Sequence, residues 1–247
     1  MFVGLGTFIN VIAIIAGTLF GRLFGDLLKE RTRNLLTDVL GAVTLIGAAS
    51  ALVSLYDEEL VSSMPDGFPL LVILSSLILG GLLGSWVDIE SRLNSVGEVL
   101  KKRFGGAETK NQENPFVEGF VTASLIFVIG PLAILGSISD GMSNGIDQLL
   151  LKSILDFFAS IAFAATLGWG VAFSALPVAI YQGAWTVIGL FLGSVLSDYQ
   201  VQAMTATGGI LLLGIALRLL KIKEMPIGDL LPALAFAPVI AFFASKF

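Results

Sequence analysis

Apolar segments long enough to span a bilayer recur along almost the whole of this chain, and they constrain its fold more than any other feature. A helix needs roughly 20 apolar residues to cross a hydrocarbon core about 30 Å thick. The segments that meet or approach that length are residues 3–24, 35–55, 68–87, 117–138, 149–172, 177–196, 204–221 and 230–245. The sequence therefore predicts an all-α polytopic membrane protein with about eight transmembrane helices.

Composition supports this class and excludes several others. Of 247 residues, 55% are hydrophobic and 13% are charged, and the mean hydropathy is +0.92, which is far too apolar for an ordinary soluble domain. Because cysteine and histidine are absent, thiol nucleophiles, histidine bases and cysteine or histidine metal sites are excluded, and we expect no metal, no cofactor and no enzyme activity. A formal charge of −5 offers no broad basic surface, so we expect no nucleic-acid partner.

The positions of the basic residues predict which way the spans run. Most of the 14 lysine and arginine residues follow the first, third and seventh predicted spans. With eight spans these three clusters fall on one side of the membrane, and an excess of lysine and arginine marks the cytoplasmic side. We therefore predict that both chain termini lie outside.

The fourth apolar segment is interrupted midway by Gly130-Pro131. Proline removes a backbone donor and clashes with the carbonyl group four residues earlier, and glycine makes unwinding easier. Unpaired main-chain groups at membrane depth are tolerated where they line a cavity. We therefore predict a broken helix whose break, together with Ser124, Ser137 and Asp140, lines a solute path. The plainer explanation for each serine is a hydroxyl bonded to its own helix.

Polar residues inside the other spans are few, and four of them are candidates for binding. Asp156 lies within the fifth span, and Lys152 precedes it by four residues, so the two share a helix face and can form an ion pair. Charges within spans mark ion or solute paths, although a satisfied structural pair explains the pattern equally well. Asn10 and Gln182 each offer a donor and an acceptor to a polar substrate, and hydrogen bonding between helices is the alternative.

Two glycine-containing regions resemble each other along the chain. Ile9–Asp26 aligns with Tyr181–Asp198, and Gly41–Gly47 aligns with Gly208–Gly214, so spans one and two resemble spans six and seven. Because the copies are five spans apart, they cross in opposite directions, as in the inverted-topology repeats of secondary transporters. The alternative is that the glycines provide close helix packing, which is also compatible with a homodimer.

The longest polar stretch divides the predicted spans into two groups. Its first part, IESRLNSVGEVLKKRF, repeats apolar residues at helical spacing with basic residues between them, which is typical of a helix at the cytoplasmic interface. A flexible linker follows it. We therefore predict one membrane domain with a three-span bundle (1–87), an interfacial helix and linker (88–114) and a bundle of about five spans (115–247).

Three runs of the sequence carry a family resemblance: GTFINVIAIIAGTLFG near the start, SLIFVIGPLAILGSISDG, and the run from Leu149 to Gly183. Together they resemble the membrane-protein family known as domain of unknown function 554, and the resemblance covers nearly the whole chain. It implies a multi-pass protein of a bacterial or archaeal cytoplasmic membrane but no particular substrate. The candidate residues on the family's motif positions are Ser124, Gly130, Pro131, Asp140, Lys152, Asp156 and Gln182.

We expect a secondary transporter or permease for a small ion or polar solute, with alternating access around spans one, four, five and six. Its partners would be the lipid bilayer and that solute. The alternatives are an ion channel with a continuous polar path and a non-transporting scaffold or sensor. The candidate binding residues are Asp156, Gln182, Asn10, Ser124, Gly130, Pro131, Ser137, Asp140 and Lys152.

Overall fold

The computed structural model describes residues 2–25, 29–104, 115–192 and 196–247, which form helices and short connections without a β-strand. The helices are α1 (Leu5–Gly25), α2 (Glu30–Leu52), α3 (Glu58–Val61), α4 (Phe68–Val87), α5 (Ile89–Phe104), α6 (Pro115–Val128), α7 (Pro131–Gly141), α8 (Asp147–Leu167), α9 (Gly170–Phe173), α10 (Ala175–Leu192), α11 (Asp198–Leu219), α12 (Ile227–Leu230) and α13 (Ala233–Ala244). A short 3-10 helix, Val53–Tyr56, joins α2 to α3.

The helices confirm the predicted fold class. Seven helical segments of the described residues are long and apolar enough to cross a membrane, of which one joins α9 to α10 and another joins α12 to α13. Helix α6 with α7 forms an eighth candidate that is bent by 64°. The seventh span begins at Asp198, six residues before the predicted apolar segment, because Ser197 and Gln200 form a capping box there. The first turn of this helix is polar, so the apolar pattern of the sequence does not include it.

The predicted break in the fourth span is present between α6 and α7. Helix α6 ends at Val128 and α7 begins at Pro131, a position where the missing N–H of proline costs no helical hydrogen bond. Gly130 has a φ of +147°, which glycine adopts far more readily than other residues. A Cβ on Gly130 would meet no other atom within 4 Å, so backbone conformation and not crowding favours glycine here.

Helices α6 and α7 together extend along the whole of α8. Gly119, in the first turns of α6, packs on Leu167 at the end of α8. Gly136 of α7 packs on Leu149 in the first turn of α8. Helix α8 is 21 residues long, so the bent pair is as long as one membrane span. The two contacts also show that this broken span runs antiparallel to α8.

The described residues divide into two compact units, and each unit draws on both halves of the chain. The first unit lies within residues 1–40, 93–128 and 132–195, and the second within residues 41–92, 129–131 and 196–247. Spans one, four, five and six belong to the first unit, except for residues 129–131 at the break in span four. The predicted division into bundles 1–87 and 115–247 stays a prediction. Within each unit, helices from opposite halves of the chain pack on each other.

Helices α1 and α8 form the most extensive helix pair of the first unit. A Cβ added at Gly17 would overlap the carbonyl oxygen of Phe157, and one at Gly21 would overlap that of Ile161. Both contact positions advance by four residues, so the two helices run parallel with their backbones in close approach. The glycine spacing in span one thus provides helix packing, which was one of its two explanations.

The helices of each predicted repeat pair run in opposite directions. In the second unit, Gly41 of α2 lies beside Leu220, and Gly209 of α11 lies beside Ala48. In the first unit, α1 begins and α10 ends against the last turn of α7. This is the direction that an inverted-topology repeat requires. The repeat itself stays a prediction, because close packing produces the same glycine spacing.

Helix α5 covers the residues predicted as an interfacial helix. Gly97 of α5 packs on Val117 and Phe120 of α6, and the ring of Phe104 lies 5.2 Å from that of Phe173. Its last turn carries three basic residues, which complement the negative end of the helix dipole. Most of the predicted linker, residues 105–114, lies outside the described residues.

Candidate functional site

An ion pair and an amide meet on the buried face of α8. Nζ of Lys152 lies 2.5 Å from Oδ2 of Asp156, and Nδ2 of Asn10 donates a hydrogen bond to the same oxygen at 2.9 Å. Asn10 is fully buried, and Lys152 and Asp156 are each 6% exposed. Three of the predicted site residues are therefore in direct contact, although they come from opposite halves of the chain.

Helical spacing and glycine packing explain this arrangement. Lys152 and Asp156 are four residues apart, so they lie one turn apart on the same face of α8. Asn10 reaches that face because Gly17 and Gly21 allow α1 to approach the backbone of α8. Asp156 lies nine residues after the first residue of α8 (156 − 147) and eleven before its last (167 − 156). The ion pair is therefore near the middle of a membrane span.

The burial of the two charges makes each dependent on the other. Removing one member of a buried ion pair typically costs about 3–5 kcal/mol, because the remaining charge is left without compensation. Nζ of Lys152 also lies 5.8 Å from the ring centroid of Phe127 on α6, and the face of an aromatic ring attracts an ammonium group. Among the described residues, the second carboxylate oxygen of Asp156, Oδ1, has no hydrogen-bond partner.

The first unit also contains buried polar atoms that lack a hydrogen-bond partner within the described residues. They are Oδ1 of Asn10, both amide atoms of Gln182, and the hydroxyl groups of Thr7, Thr122, Ser160 and Thr186. An unsatisfied buried donor or acceptor costs about 1–3 kcal/mol. Each of these groups therefore needs a further partner, such as an ordered water or a polar solute, to satisfy it.

The four helices that carry these atoms contact one another in a closed ring. Helix α1 packs on α8, α8 on α6, α6 on α10, and α10 on α1. Asp156 and Ser160 lie one turn apart on α8, and Gln182 and Thr186 lie one turn apart on α10, so each pair shares a helix face. Every span of the first unit therefore contributes a buried polar side chain with hydrogen-bonding capacity to spare.

Two other predicted residues, Ser124 and Ser137, use their hydroxyl groups within their own helices. Oγ of Ser124 donates to the carbonyl oxygen of Phe120 at 2.5 Å, and Oγ of Ser137 donates to that of Ala133 at 2.6 Å. This is the plainer of the two explanations that the sequence allowed. Neither serine adds an unpartnered donor to the bundle.

Asp140 joins the end of α7 to the start of α1. Its carboxylate accepts hydrogen bonds from the backbone N–H groups of Gly4 at 3.2 Å and Gly6 at 3.0 Å. Because α1 begins at Leu5, this negative charge caps the positive end of the helix dipole. Asp140 also borders a cavity of about 210 Å³, which is lined by Phe2, Val3, Asp140, Ser143, Gly145 and Ile146.

Gly130 and Pro131 belong to the second unit, and the candidate site consists of first-unit residues alone.

Sequence reasoning missed the hydroxyl groups of Thr7, Ser160 and Thr186. Their spacing from predicted residues was a usable signal, because Thr7 lies three residues from Asn10, Ser160 four from Asp156 and Thr186 four from Gln182. Thr122 carries no comparable signal.

Two relatives match nearly the whole of this chain. The "Uncharacterized membrane protein YdfK" of Bacillus subtilis is 32% identical over 243 residues, which cover 98% of this chain and 97% of the relative. The "Uncharacterized protein YqgA" of Escherichia coli is 30% identical over 239 residues, which cover 94% of each chain. No solved structure matches this chain.

The family described as "Protein of unknown function (DUF554)" matches residues 5–242, which is almost the full length. That match includes the three runs on which the resemblance was recognised and every candidate site residue. The apolar helices and the membrane-protein relative together identify a multi-pass membrane protein. The chain therefore belongs to the DUF554 family of membrane proteins.

Proposed function

We propose that this protein is a small secondary transporter or permease that moves a small ion or polar solute across the cytoplasmic membrane of a bacterium or archaeon. The observations that support the proposal are the contacts among α1, α8, α6 and α10 and the buried pair of Lys152 and Asp156 near the middle of α8. Each of these helices presents a buried polar atom without a partner. Such atoms destabilise a purely structural bundle, whereas a solute-binding site needs them.

The bent junction of α6 and α7 is the moving element in this proposal. Few backbone hydrogen bonds oppose a change of angle there, because α6 ends at Val128 and α7 starts afresh at Pro131. Asp140 binds the backbone of Gly4 and Gly6, so α1 moves together with α7. A change in the bend then opens the ring first to one side of the membrane and afterwards to the other.

The proposal includes an orientation with both termini outside. The basic residues that follow spans one, three and seven then face the cytoplasm. The chain contains no cysteine, so single cysteines report the topology without background labelling. In intact cells, a membrane-impermeant thiol reagent is expected to label Ser245→Cys at the C-terminus but not Arg92→Cys in α5. The reverse labelling pattern would overturn the orientation.

Transport itself is tested with purified protein in liposomes. Uptake of radiolabelled sodium, rubidium, phosphate and glycine is measured with and without a proton gradient. We expect at least one solute to give a saturable signal that falls at least about tenfold in Asp156→Asn and Gln182→Ala.

Ser124→Ala is the matched control for the transport experiment, because the Ser124 hydroxyl is satisfied within its own helix. It is expected to retain the wild-type signal. Flux that never saturates would favour a channel instead. The absence of any signal, or a signal that Asp156→Asn and Gln182→Ala leave intact, would contradict the proposed site.

A further inference from the structure

Gln182 of α10 is a fully buried amide whose nitrogen and oxygen atoms both lack a hydrogen-bond partner within the described residues. On the neighbouring helix α1, Asn10 is also fully buried, and its Oδ1 atom lacks a partner too. An amide nitrogen donates hydrogen bonds and an amide oxygen accepts them. The amide pair of Asn10 and Gln182 therefore needs a partner that offers both donors and acceptors.

The last turn of α7 shows that the two amides lie at a similar depth. In that turn, Asp140 accepts a hydrogen bond from the backbone N–H of Gly6, and a Cβ on Gly141 would overlap the carbonyl oxygen of Thr186. The amide of α1 lies four residues after Gly6, and the amide of α10 lies four residues before Thr186. Since α1 runs away from this turn and α10 runs towards it, each amide lies one helical turn, roughly 6 Å, deeper than the end of α7.

Two buried hydroxyl groups lie near the end of α7, about one turn before the amide pair. Thr7 precedes Asn10 by three residues and Thr186 follows Gln182 by four, so each hydroxyl shares a helix face with an amide. Neither hydroxyl has a partner in the part of the chain that the structure describes. The cavity of about 210 Å³ borders Asp140 at the same end of α7. Unpartnered polar groups therefore follow one another from this cavity towards the amide pair.

The charges beside Asn10 already balance. The ammonium group of Lys152 and the carboxylate of Asp156 are 2.5 Å apart and sum to zero, and Asn10 donates a hydrogen bond to that carboxylate. The unpartnered amides and hydroxyls carry no formal charge, and a hydroxyl can either donate or accept. A bound cation or anion would therefore leave a net charge at membrane depth, where it is costly. A solute without net charge avoids this cost and can satisfy both the donors and the acceptors.

We infer that the amide pair, together with the hydroxyl groups of Thr7 and Thr186, binds a small polar solute that has no net charge and carries both hydrogen-bond donors and acceptors. Amides, polyols and zwitterionic amino acids belong to this class. This substrate class rests on the proposed function, because it specifies what the proposed transporter moves. The solute enters past Asp140, and the buried ion pair of α8 keeps the site neutral.

Uptake by liposomes tests the substrate class. Labelled urea and glycerol are added to the four solutes of the transport experiment, and protein-free liposomes measure diffusion through the lipid. We expect saturable uptake of at least one of glycine, urea and glycerol, and none of sodium, rubidium or phosphate. Gln182→Met keeps the size of the side chain but removes its donor and its acceptor, so it should lower this uptake at least about tenfold. Ser137→Ala, whose hydroxyl is satisfied within its helix, is the unchanged control.

A double variant separates neutrality from direct binding of an ion. Asp156→Asn leaves the ammonium group of Lys152 unbalanced and should lower uptake strongly. Lys152→Met combined with Asp156→Asn removes both charges, while the amide oxygen at position 156 can still accept the hydrogen bond from Asn10. This double variant, assayed as folded protein that elutes as one species in gel filtration, should recover most of the wild-type uptake. Uptake that stays as low as in Asp156→Asn would overturn the assignment, since a site for an ion needs the carboxylate or the ammonium group itself.

Thiol labelling tests the entry path independently of the charged variants. The chain contains no cysteine, and in detergent a small water-soluble thiol reagent should modify Thr186→Cys far faster than Thr18→Cys. Both threonines are buried, but the hydroxyl of Thr18 is satisfied within its helix. An excess of the transported solute should slow the labelling of Thr186→Cys, whereas ordered water alone gives no such protection. Equal labelling of the two variants, or labelling that the solute does not slow, would overturn the path at Thr186.

The wild-type uptake decides the substrate class even if a variant fails to fold. Saturable, Asp156-dependent uptake of sodium, rubidium or phosphate alone would leave the proposed function standing and show that the substrate class is wrong. If none of the six solutes is taken up, both proposals fail together.

Discussion

Asn10 and Asp156 lie 146 positions apart in the chain, yet a 2.9 Å hydrogen bond joins their side chains. The bond connects α1 to α8 beside the close approach of their backbones. It also orients the amide of Asn10 so that Oδ1 is left buried and unpartnered. The same contact therefore stabilises the helix pair and leaves an acceptor unfilled next to a charged carboxylate.

The buried ion pair is expected to be more sensitive to the loss of one charge than to the loss of both. Asp156→Asn leaves Lys152 without a counter-charge and should lower the free energy of unfolding by about 3–5 kcal/mol. Lys152→Met combined with Asp156→Leu removes both charges and should recover most of that loss. The measurement is the apparent melting temperature in detergent, followed by tryptophan fluorescence.

Glu59→Gln, which changes an exposed carboxylate, is the control for this comparison and should leave the melting temperature unchanged. Equal destabilisation of the single and the double variant would mean that packing, and not charge compensation, determines the stability of the site.

Because α1 lies close to α8, we expect valine to destabilise the protein far more at Gly17 than at Gly47. Gly17→Val places side-chain atoms against the backbone of Phe157 and should lower the free energy of unfolding by about 1–3 kcal/mol or more. Gly47→Val is the matched control, because a Cβ at Gly47 meets nothing within 4 Å. Thermal unfolding of both variants in detergent checks this. Similar melting temperatures would contradict the α1 and α8 packing.

The sequence predicted best the features that are determined within a single helix. The apolar segments predicted the spans because burial in lipid requires a fixed length, and Gly130-Pro131 predicted the break because proline cannot continue the hydrogen bonding of a helix. The start of α11 at Asp198 was missed, since a capping box is polar. The pairing of Lys152 with Asp156 followed from the spacing of four residues within α8.

Contacts between two helices could not be predicted from the sequence. Asn10 was recognised as a costly polar residue in a span, but its contact with Asp156 depends on how α1 packs on α8. Ser124 and Ser137 looked equally able to line a path, because the sequence does not determine whether a helical hydroxyl bonds to its own backbone. The grouping of spans one, four, five and six into one unit also arises from packing between distant segments.

The cap that Asp140 places on α1 predicts local loosening when the carboxylate is removed. Asp140→Ala takes the acceptor away from Gly4 and Gly6 and should cost about 0.5–2 kcal/mol, concentrated in the first turn of α1. Hydrogen–deuterium exchange should rise in peptides that cover residues 2–10 and stay constant in peptides of α11. Asp147→Asn, at an exposed position in the first turn of α8, is the control; the same rise there would argue against a specific cap.

Removing an unpartnered hydroxyl group is expected to raise the stability of the protein and to slow its transport. Thr186 is buried and its hydroxyl lacks a partner, so Thr186→Val should raise the free energy of unfolding by about 1–3 kcal/mol. Thr18 is also buried, but its hydroxyl donates to the carbonyl oxygen of Ile14 at 2.9 Å. Thr18→Val is therefore the matched control and should lower stability by about 0.5–1.5 kcal/mol.

Transport measurements on the same two variants show whether the Thr186 hydroxyl binds the solute. If the Thr186 hydroxyl is kept for a solute, Thr186→Val should melt at a higher temperature and yet transport more slowly in liposomes, whereas Thr18→Val should transport at the wild-type rate. A stabilised Thr186→Val protein with undiminished transport would show that the hydroxyl has no part in the path. A destabilised Thr186→Val protein would show that the group is satisfied after all, for instance by an ordered water.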